Sequence, residues 1–379
     1  MSIRKCRICQ SKNLVKVLSL GKQPLANNLL KSKQEGAKYY PLDMYQCKHC
    51  SLLQLGHVVP ANEMYDEYTY IPSASKTYLN HFKSLTDKLI KQIPLKKNSL
   101  VVDIGGNDGS LLSYFYKKGM KTINVEPAKN IQVKEGIRTI RDYFTPKVAK
   151  GIVANYGKAQ LITATNSFAH IDNLQKYLEA LDILLDKNGV FFAQFPDVRN
   201  LFKQNQFDTI YHEHLSYFTY EPLHHLFADS PFELFNITSD NIHGGSMQIW
   251  VRRRPNLVQE LTDNMHSIRK ELQEKIYALQ KKGKKVVGFG AAAKGTVLLN
   301  YCNLHLDYIV DGGKYKQGKF IPGVKTPIYP ERYLLEDPPD VILILAWNFK
   351  EEIMKKLRHR GYTFIVPIPE VEVYEDSNC

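Results

Sequence analysis

The sequence predicts an α/β protein in which an N-terminal zinc-binding module precedes two Rossmann-like domains. Two Cys-x-x-Cys pairs lie within the first 50 residues, and two later segments, 100–112 and 285–295, each combine a buried apolar strand, a glycine turn and the start of a helix. Strands that alternate with helices form a mostly parallel sheet covered on both faces. These observations predict a zinc module over 1–75, a first α/β domain over 76–255, and a linker helix with a second α/β domain over 256–379.

Composition describes a globular chain with more than one domain. At 379 residues, the chain is longer than one ordinary domain. Its content of 44% hydrophobic and 23% charged residues excludes a disordered, collagenous or low-complexity protein. The formal net charge of +13 favours an anionic partner: nucleic acid, an acidic membrane surface or a phosphorylated small molecule. Six cysteines are too few for a disulfide scaffold, which indicates a reducing compartment; Cys302 and Cys379 have no predicted role.

The sequence shows no export or membrane signal. Arg4 and Lys5 are followed at once by Cys6, without the apolar segment of a signal peptide. The longest strongly apolar stretch, 341–347, is far below the roughly 18 residues that a membrane-spanning helix needs. We therefore expect a cytoplasmic protein with no membrane partner.

The cysteine spacing predicts a metal site. Cys6 and Cys9 form one pair, and Cys47 and Cys50 form the other, with 37 residues between the pairs. Four thiolates at this spacing are typical of structural zinc sites, in which the protein fills every coordination position. We expect a structural Zn²⁺ whose binding supplies folding energy to a segment that is short of core residues.

The first α/β domain opens with a glycine turn that points to a nucleoside ligand. Asp103, Gly105 and Asn107 lie in this turn, with asparagine in place of the usual middle glycine. Glycine lets the backbone approach a ligand closely, and the following helix N-terminus favours acceptors. Glu126 closes the next strand, where a carboxylate can bind ribose hydroxyls. The arrangement is typical of S-adenosylmethionine sites; a tight turn with an incidental acid is the alternative.

Ionisable side chains crowd the stretch from Tyr211 to His214. Tyrosine, glutamate and histidine together offer acid, base and polarising groups. On a strand, Tyr211 and His214 would point to opposite faces, whereas a turn brings them to one side. We interpret the stretch as functional rather than as a polar surface loop, because histidine titrates near neutrality. The segment His243–Ser246 adds backbone donors for a phosphate or carbonyl oxygen, or forms an ordinary glycine turn.

A second glycine turn follows an amphipathic pattern over 256–282, which predicts a connecting helix. The motif Gly288–Ala293 matches the dinucleotide fingerprint, with Asp311 about 20 residues further on. Taken alone, the motif indicates NAD, a nucleotide-sugar diphosphate, or a Rossmann-like fold kept for packing. Lys294 in the turn favours a phosphate-bearing ligand.

In this order, the motifs resemble a known family over almost the whole chain: the zinc-containing sugar C-methyltransferases of deoxysugar pathways. That family methylates nucleotide-linked 4-keto-6-deoxy sugars with S-adenosylmethionine. The motifs that carry the resemblance are the paired cysteines, DIGGNDGSLL (103–112), IYHEHLSYF (210–218), HGGS (243–246) and GFGAAAKGTVLLNYC (288–302).

The resemblance implies a mechanism. His214 would remove the proton from the ring carbon beside the keto group, C3, and the resulting carbanion would attack the methyl group. Tyr211 and Glu213 would assist by proton relay and by holding the base in its tautomer, while His170 would steady the enolate oxygen.

The resemblance also implies two sets of contacts. S-adenosylmethionine would contact Asp103, Gly105, Asn107, Asp108, Glu126 and Asn166. The nucleotide-diphosphate keto-sugar would contact His243, Gly244, Ser246, Lys294, Thr296 and Asn300. Gln194 and Gln248 depart from the family pattern, in which we expect glutamate and arginine.

Two alternatives belong to other classes of protein. One is an NAD-dependent dehydrogenase or epimerase of a nucleotide sugar, which predicts tight NAD(H) binding. The other is a zinc-ribbon nucleic-acid-binding protein, which predicts basic residues clustered on the zinc module. Lysine and arginine are instead spread along the chain, so we expect no nucleic-acid partner, and we expect a monomer.

Overall fold

The computed structural model describes residues 3–358 and 360–375, apart from the His243 side chain; Cys379 lies outside the described residues. The chain divides into two compact units, Met1–Arg254 and Pro255–Cys379. The boundary predicted after residue 75 lies within the first unit and stays a prediction. In the described part of the chain, no helix has the length and apolar character needed to cross a membrane.

The first unit contains both strands and helices. Its strands are β1 (Leu14–Pro24), β2 (Tyr39–Cys47), β3 (Leu53–Leu55), β4 (Leu100–Ile104), β5 (Lys121–Val125), β6 (Arg138–Ile140), β7 (Ala159–Thr165), β8 (Leu185–Pro196), β9 (Ser216–Tyr217), β10 (Phe232–Asp240) and β11 (Ser246–Arg253). Its helices are α1 (Ala61–Tyr65), α2 (Lys76–Gln92), α3 (Ser110–Lys117), α4 (Pro146–Tyr156), α5 (Leu174–Leu184), α6 (Val198–Lys203) and α7 (Tyr220–Ala228).

A seven-stranded sheet forms the core of the first unit, in the order β10-β11-β8-β7-β4-β5-β6. The five strands from β8 to β6 are parallel, and β11 and β10 add to the edge antiparallel. Every residue of β4 is buried, as expected for a parallel strand with helices on both faces. The predicted α/β class is confirmed, and the carboxyl ends of the parallel strands form the edge at which such sheets bind ligands.

A second, antiparallel sheet has the order β1-β2-β3-β9. Its first three strands come from the cysteine-rich segment, and β9 begins two residues after His214. Ser216 and Tyr217 of β9 pair with Gln54 and Leu53 of β3. The Tyr211–His214 stretch is therefore attached directly to the sheet of the cysteine-rich segment.

The second unit is a Rossmann-like sheet with helices. Its elements are α8 (Leu257–Lys281), β12 (Val286–Phe289), α9 (Ala293–Tyr301), β13 (Ile309–Val310), β14 (Ile328–Tyr329), α10 (Tyr333–Glu336), β15 (Val341–Ile344), α11 (Lys350–Lys356), β16 (Thr363–Val366) and β17 (Glu372–Glu375). The sheet order is β14-β13-β12-β15-β16-β17, parallel except at β17. The helix predicted over 256–282 is α8, and Gly283 follows it in the left-handed conformation that ends helices, with φ +72°.

Candidate active site and metal centre

The four N-terminal cysteines converge. All four Sγ atoms lie within 4.8 Å of one another. Sγ of Cys6 is 3.5 Å from Sγ of Cys50, and Sγ of Cys9 is 3.5 Å from Sγ of Cys47. A tetrahedral zinc ion with Zn–S bonds of about 2.3 Å places its sulfur ligands about 3.8 Å apart. The cluster therefore fits Zn²⁺, and because four thiolates complete the coordination, the site is structural.

The two cysteine pairs are built as the same knuckle. The residue after each second cysteine, Gln10 or Ser51, adopts a left-handed conformation with φ near +60°. Its backbone N–H donates to the carbonyl of the first cysteine of its pair, Cys6 or Cys47. A tight turn of this kind aims both thiols of a pair at one point, which explains why the spacing alone predicts the site.

The glycine turn after β4 approaches the cavity with its backbone. Gly105 and Gly109 have φ of +68° and +73°, and Asn107 has φ +52°. Asparagine is one of the few residues with a side chain that tolerate the left-handed region, so it can replace the usual middle glycine. The turn leads directly into α3, and the N-terminus of this helix favours hydrogen-bond acceptors of a ligand.

Gly106 is required by close packing within this turn. A Cβ at this position would lie 2.4 Å from Oδ1 of Asn124 and 2.6 Å from Oδ2 of Asp103. Asp103 is buried, accepts a hydrogen bond from Thr163 over 2.6 Å, and burial raises the pKa of its carboxyl to about 7. Asp103 thus packs beneath the turn and does not line the cavity.

Asp108 also shapes the turn. Its Oδ1 accepts a hydrogen bond from the backbone N–H of Ser110 over 3.0 Å, which forms an Asx turn just before α3. Asp108 is buried and is not among the residues that line the cavity. Its contact with a cofactor stays a prediction, as does that of Asp103.

Glu126 follows β5 and closes the cofactor edge. Its carboxylate accepts hydrogen bonds from the backbone N–H groups of Asn107 and Ala128, each over 2.9 Å. Burial raises the pKa of Glu126, and these two donors oppose that shift because they stabilise the ionised form. The contact with Asn107 ties the acid to the glycine turn, so both face the cavity together.

A cavity of about 850 Å³ joins the two predicted site regions of the first unit. Its lining includes Gly105, Asn107, Glu126 and Asn166 from the cofactor edge, and Tyr211 and His214 from the later motif. The side-chain Oδ1 atoms of Asn107 and Asn166 are buried without a hydrogen-bond partner in the structure. Buried polar atoms of this kind are usually satisfied by a ligand or water, so the edge fits S-adenosylmethionine.

Tyr211 and His214 lie on the same side because the stretch is a turn. The backbone N–H of His214 donates to the carbonyl of Tyr211 over 3.0 Å, and the two ring centroids are 4.1 Å apart. Nδ1 of His214 lies 2.8 Å from the carbonyl oxygen of Thr209. Since a carbonyl can only accept, Nδ1 carries the proton and Nε2 carries the lone pair of the neutral ring. The geometry is that of a general base.

Glu213 is engaged elsewhere. Its carboxylate accepts hydrogen bonds from the Tyr68 hydroxyl over 2.8 Å and from the Asn27 amide over 2.7 Å. Burial raises the pKa of Glu213, and the two donors partly oppose the shift. Nδ1 of His214 contacts the carbonyl of Thr209, and the role of Glu213 in holding the base in its tautomer stays a prediction. Tyr68 lines the cavity, which leaves Glu213 one side chain away from it.

His170 lies beside the base. Its ring centroid is 5.3 Å from that of His214, and Tyr65 stacks on it at 6.0 Å and 11°. Burial, with a smaller effect of His214, holds the pKa of His170 well below its usual range, so the ring is neutral at pH 7. Nε2 of His170 is buried without a hydrogen-bond partner in the structure. A neutral imidazole in this place can donate to, or accept from, a ligand oxygen.

A tyrosine-rich wall was missed by sequence reasoning. The tyrosines that line the cavity are Tyr65, Tyr68, Tyr70, Tyr78, Tyr143 and Tyr211. Burial raises the pKa of Tyr65 well above its usual range, so its hydroxyl stays protonated. Three of these residues fall between positions 65 and 70, and that local density of tyrosine was the available signal.

The 243–246 segment lies in the first unit, and Gly244 to Ser246 are not among the described residues that line the cavity. The His243 side chain is outside the described residues. Ser246 is fully buried, and its hydroxyl donates to the carbonyl of Ile242 over 3.1 Å. The carbonyl of Gly244 accepts a hydrogen bond from the Gln206 side chain over 3.2 Å. Substrate contacts of these residues stay a prediction.

In the second unit, the glycine turn after β12 is stabilised by Asp311. This carboxylate accepts hydrogen bonds from the backbone N–H groups of Ala291 and Gly313 over 2.8 and 2.7 Å, and it pairs with Lys316 at 2.9 Å. Lys316 and these two donors hold the pKa of Asp311 below its ordinary value although burial opposes them. The acid that would bind the ribose of NAD is thus occupied within its own turn.

The predicted substrate residues of the second unit lie on α9. The ammonium of Lys294 is 4.4 Å from the ring centroid of Trp347 and also bonds to Asn348. The side-chain amide of Asn300 donates to the carbonyls of Thr296 and Pro322 over 2.8 and 2.9 Å. Lys294 is held as a fixed cation in the first turn of the helix, whereas Asn300 braces a neighbouring loop.

Three family models match successive parts of the chain. Residues 6–65 match a family described as "Putative zinc binding domain", and residues 78–236 match "Methyltransferase domain". Residues 253–369 match "C-methyltransferase C-terminal domain". The first match contains the four-cysteine cluster, and the second contains the glycine turn and the histidine motif.

The mostly parallel α/β sheet with a glycine turn at its carboxyl edge, together with the matched methyltransferase model, identifies an S-adenosylmethionine-dependent methyltransferase. C-methyltransferase NovU from Streptomyces niveus is 32% identical to this chain over an alignment of 406 positions, which covers 98% of this chain and 97% of NovU. The chain belongs to the zinc-containing C-methyltransferase family. This membership favours methyl transfer over the dehydrogenase and nucleic-acid-binding alternatives.

Solved methyltransferases show weaker likeness. A SAM-dependent methyltransferase from Anabaena variabilis is 14% identical, with a TM-score of 0.36 over 52% of this chain and 100% of that chain. Magnesium protoporphyrin IX methyltransferase from Synechocystis is 13% identical, with a TM-score of 0.34 over 47% of this chain and 84% of that chain.

Proposed function

We propose that the protein methylates C3 of a nucleotide-diphosphate-linked 4-keto-6-deoxy sugar, in the biosynthesis of a branched deoxysugar. The observation that carries the proposal is the single cavity that is lined by Gly105, Asn107 and Glu126 and also by His214. A C-methyltransferase must hold its methyl donor and deprotonate carbon in one place. This cavity supplies both requirements.

A keto group makes the proton on the neighbouring carbon acidic, so carbon methylation needs a base and a partner for the enolate oxygen. His214 meets the first need, because Thr209 fixes the proton on Nδ1 and Nε2 is the basic atom. His170 and Tyr211 meet the second need, since both rings lie beside His214 and both line the cavity. A neutral histidine and a protonated tyrosine can each hydrogen-bond a developing negative oxygen.

S-adenosylmethionine, when bound, supplies an electrophilic methyl group. Backbone groups of Gly105 and Asn107 would hold it at the strand edge, and Glu126 would bind its ribose hydroxyls. Asn166 follows β7 in a left-handed conformation with φ +57°, which places its side chain at the same edge. The tyrosine wall would keep water from the reacting carbon.

The nucleotide end of the substrate is assigned to Lys294, Thr296 and Asn300 on the resemblance. Lys294 supports this assignment most, because it is a fixed cation at the start of a helix, where diphosphates bind. We also propose that the enzyme acts as a monomer in the cytoplasm; light scattering tests the first point and cell fractionation the second.

The test is a reaction of the purified protein with S-adenosylmethionine and a panel of nucleotide-linked 4-keto-6-deoxy sugars. We expect one panel member to gain a single methyl group by mass spectrometry, with NMR placing it on C3. In deuterated water without the methyl donor, the same substrate should exchange its C3 proton, because the base works before methyl transfer. A methyl group on oxygen or on another carbon would contradict the proposal.

A further inference from the structure

The side chain of Arg7 is buried between the zinc knuckle and the candidate active site. It is 3% exposed, and its Nε donates to Oδ1 of Asp172 over 3.1 Å. Its Nη1 donates to the carbonyls of Leu55 over 3.0 Å and Leu215 over 3.3 Å. The backbone N–H of Arg7 also donates to the side chain of Gln54 over 3.0 Å.

These contacts join the two loops that carry the histidines of the cavity. Asp172 lies two residues after His170, and Leu215 immediately follows His214. The two imidazole centroids are 5.3 Å apart although 44 positions separate them in sequence. A single guanidinium therefore contacts both loops close to the point where their rings meet.

The geometry points to Arg7 as a positioning residue that sets the placement of His170 and His214 relative to each other. Only the link from this placement to turnover rests on the proposed function. Arg7 lies between Cys6 and Cys9, so the knuckle that binds zinc also fixes the backbone from which the guanidinium reaches the loops. The zinc centre would thereby influence the site through the backbone that carries Arg7.

Arginine suits this place because its planar fork presents donors in several fixed directions. Lysine offers a point charge on a flexible stem and cannot reproduce the bridge between Asp172 and Leu215. Loss of the bridge would let the loops separate, and a displacement near 1 Å can lower turnover by about 100-fold.

The experiment compares Arg7→Met, Arg7→Lys and Asp172→Ala with wild type, and uses Arg4→Met as the matched control. Arg4 is an exposed arginine three residues earlier on the same segment. For each full-length, zinc-loaded protein, we would measure zinc content, the histidine Hε1 NMR signals without substrate, and methyl transfer. His170→Gln and His214→Gln assign the two signals.

We expect one zinc per chain in every variant. The His170 and His214 signals should shift in Arg7→Met and Asp172→Ala but not in Arg4→Met. In those two variants kcat should fall about 10- to 100-fold while KM for S-adenosylmethionine stays unchanged, and Arg7→Lys should recover part of the loss.

Wild-type signals in both Arg7→Met and Asp172→Ala would overturn the proposal, and so would wild-type kcat in both. Asp172 is half-exposed, so Asp172→Ala decides the question if Arg7→Met does not fold. If no keto-sugar is methylated by the wild type, the proposed function fails, while the NMR signals still decide the positioning role.

Discussion

Nδ1 of His214 donates a hydrogen bond to the backbone carbonyl of Thr209 over 2.8 Å. In the neutral ring the contact leaves the lone pair on Nε2, as the proposed base role requires, and the acceptor is a backbone oxygen that does not titrate. Catalytic histidines are often oriented by a carboxylate instead. Here the neighbouring carboxylate of Glu213 binds Tyr68 and Asn27.

We expect His214→Gln to lower kcat for methyl transfer by about 100- to 10,000-fold, the usual contribution of a general base. Zinc content and S-adenosylmethionine affinity should stay at wild-type levels. His224→Gln, at an exposed histidine on α7, is the control and should keep full activity. Steady-state kinetics measures kcat, and calorimetric titration measures the affinity for S-adenosylmethionine. A fully active His214→Gln enzyme would show that His214 is not the base.

Burial of His170 predicts a pH-dependent stability. Its folded pKa lies well below the ordinary value, so near and below pH 6.5 the unfolded chain binds a proton that the folded chain does not. The free energy of unfolding should therefore rise with pH up to about 6.5, and it should decrease as the pH falls below that value. His170→Gln should flatten this dependence by up to about 1.4 kcal/mol per pH unit.

The measurement is urea unfolding between pH 5 and 7, followed at Trp250 in a shared Trp347→Phe background. His266→Gln, at an exposed histidine of α8, should keep the wild-type slope. An unchanged slope in His170→Gln would show that His170 gains a proton in the folded state as readily as in the unfolded state.

Gly106→Ala tests the cofactor edge. A Cβ at Gly106 would lie within 2.6 Å of both Asn124 and Asp103, so the turn must shift. We expect about tenfold or greater loss of S-adenosylmethionine affinity and about 1–3 kcal/mol of stability, as for other overpacked sites. Gly151→Ala on α4 has open space around its Cβ and should leave affinity unchanged. Calorimetric titration would contradict this account if both variants bound equally well.

Cys50→Ser should release zinc. A hydroxyl is a poor zinc ligand, and the folding energy that the metal supplies would be lost with it. Metal analysis should give well below one zinc per chain, and thermal unfolding should shift to lower temperature. Cys302→Ser, at a buried cysteine of the second unit, should retain the metal. A Cys50→Ser protein with full zinc occupancy would mean that other groups complete the site.

The zinc site and the cofactor edge could be predicted because their determinants are local. The two cysteines of each pair lie within one turn, so their spacing already predicts that both thiols point to the same place. The turn around Gly105 is equally local, and Glu126 follows from the regular alternation of strand and helix. Gln194 and Gln248 could be recognised only as separate departures from a family pattern. The structure shows that they pair across β8 and β11, with a hydrogen bond of 2.8 Å.

The α/β class, the four zinc ligands, the glycine turn after β4 and the histidine motif can be read from the order of residues. The three-dimensional structure was needed to show that Tyr211 and His214 share a side, that Thr209 contacts Nδ1 of His214, and which side chains build the tyrosine wall. It alone brought Arg7 to both histidine loops, across 165 positions to Asp172 and 208 to Leu215. The Arg7 contacts and the tyrosine wall join segments that are far apart in sequence, which periodicity and spacing do not report. The 210–214 stretch is local, but it forms neither a helix nor a strand, so no periodic pattern predicts which of its side chains share a side.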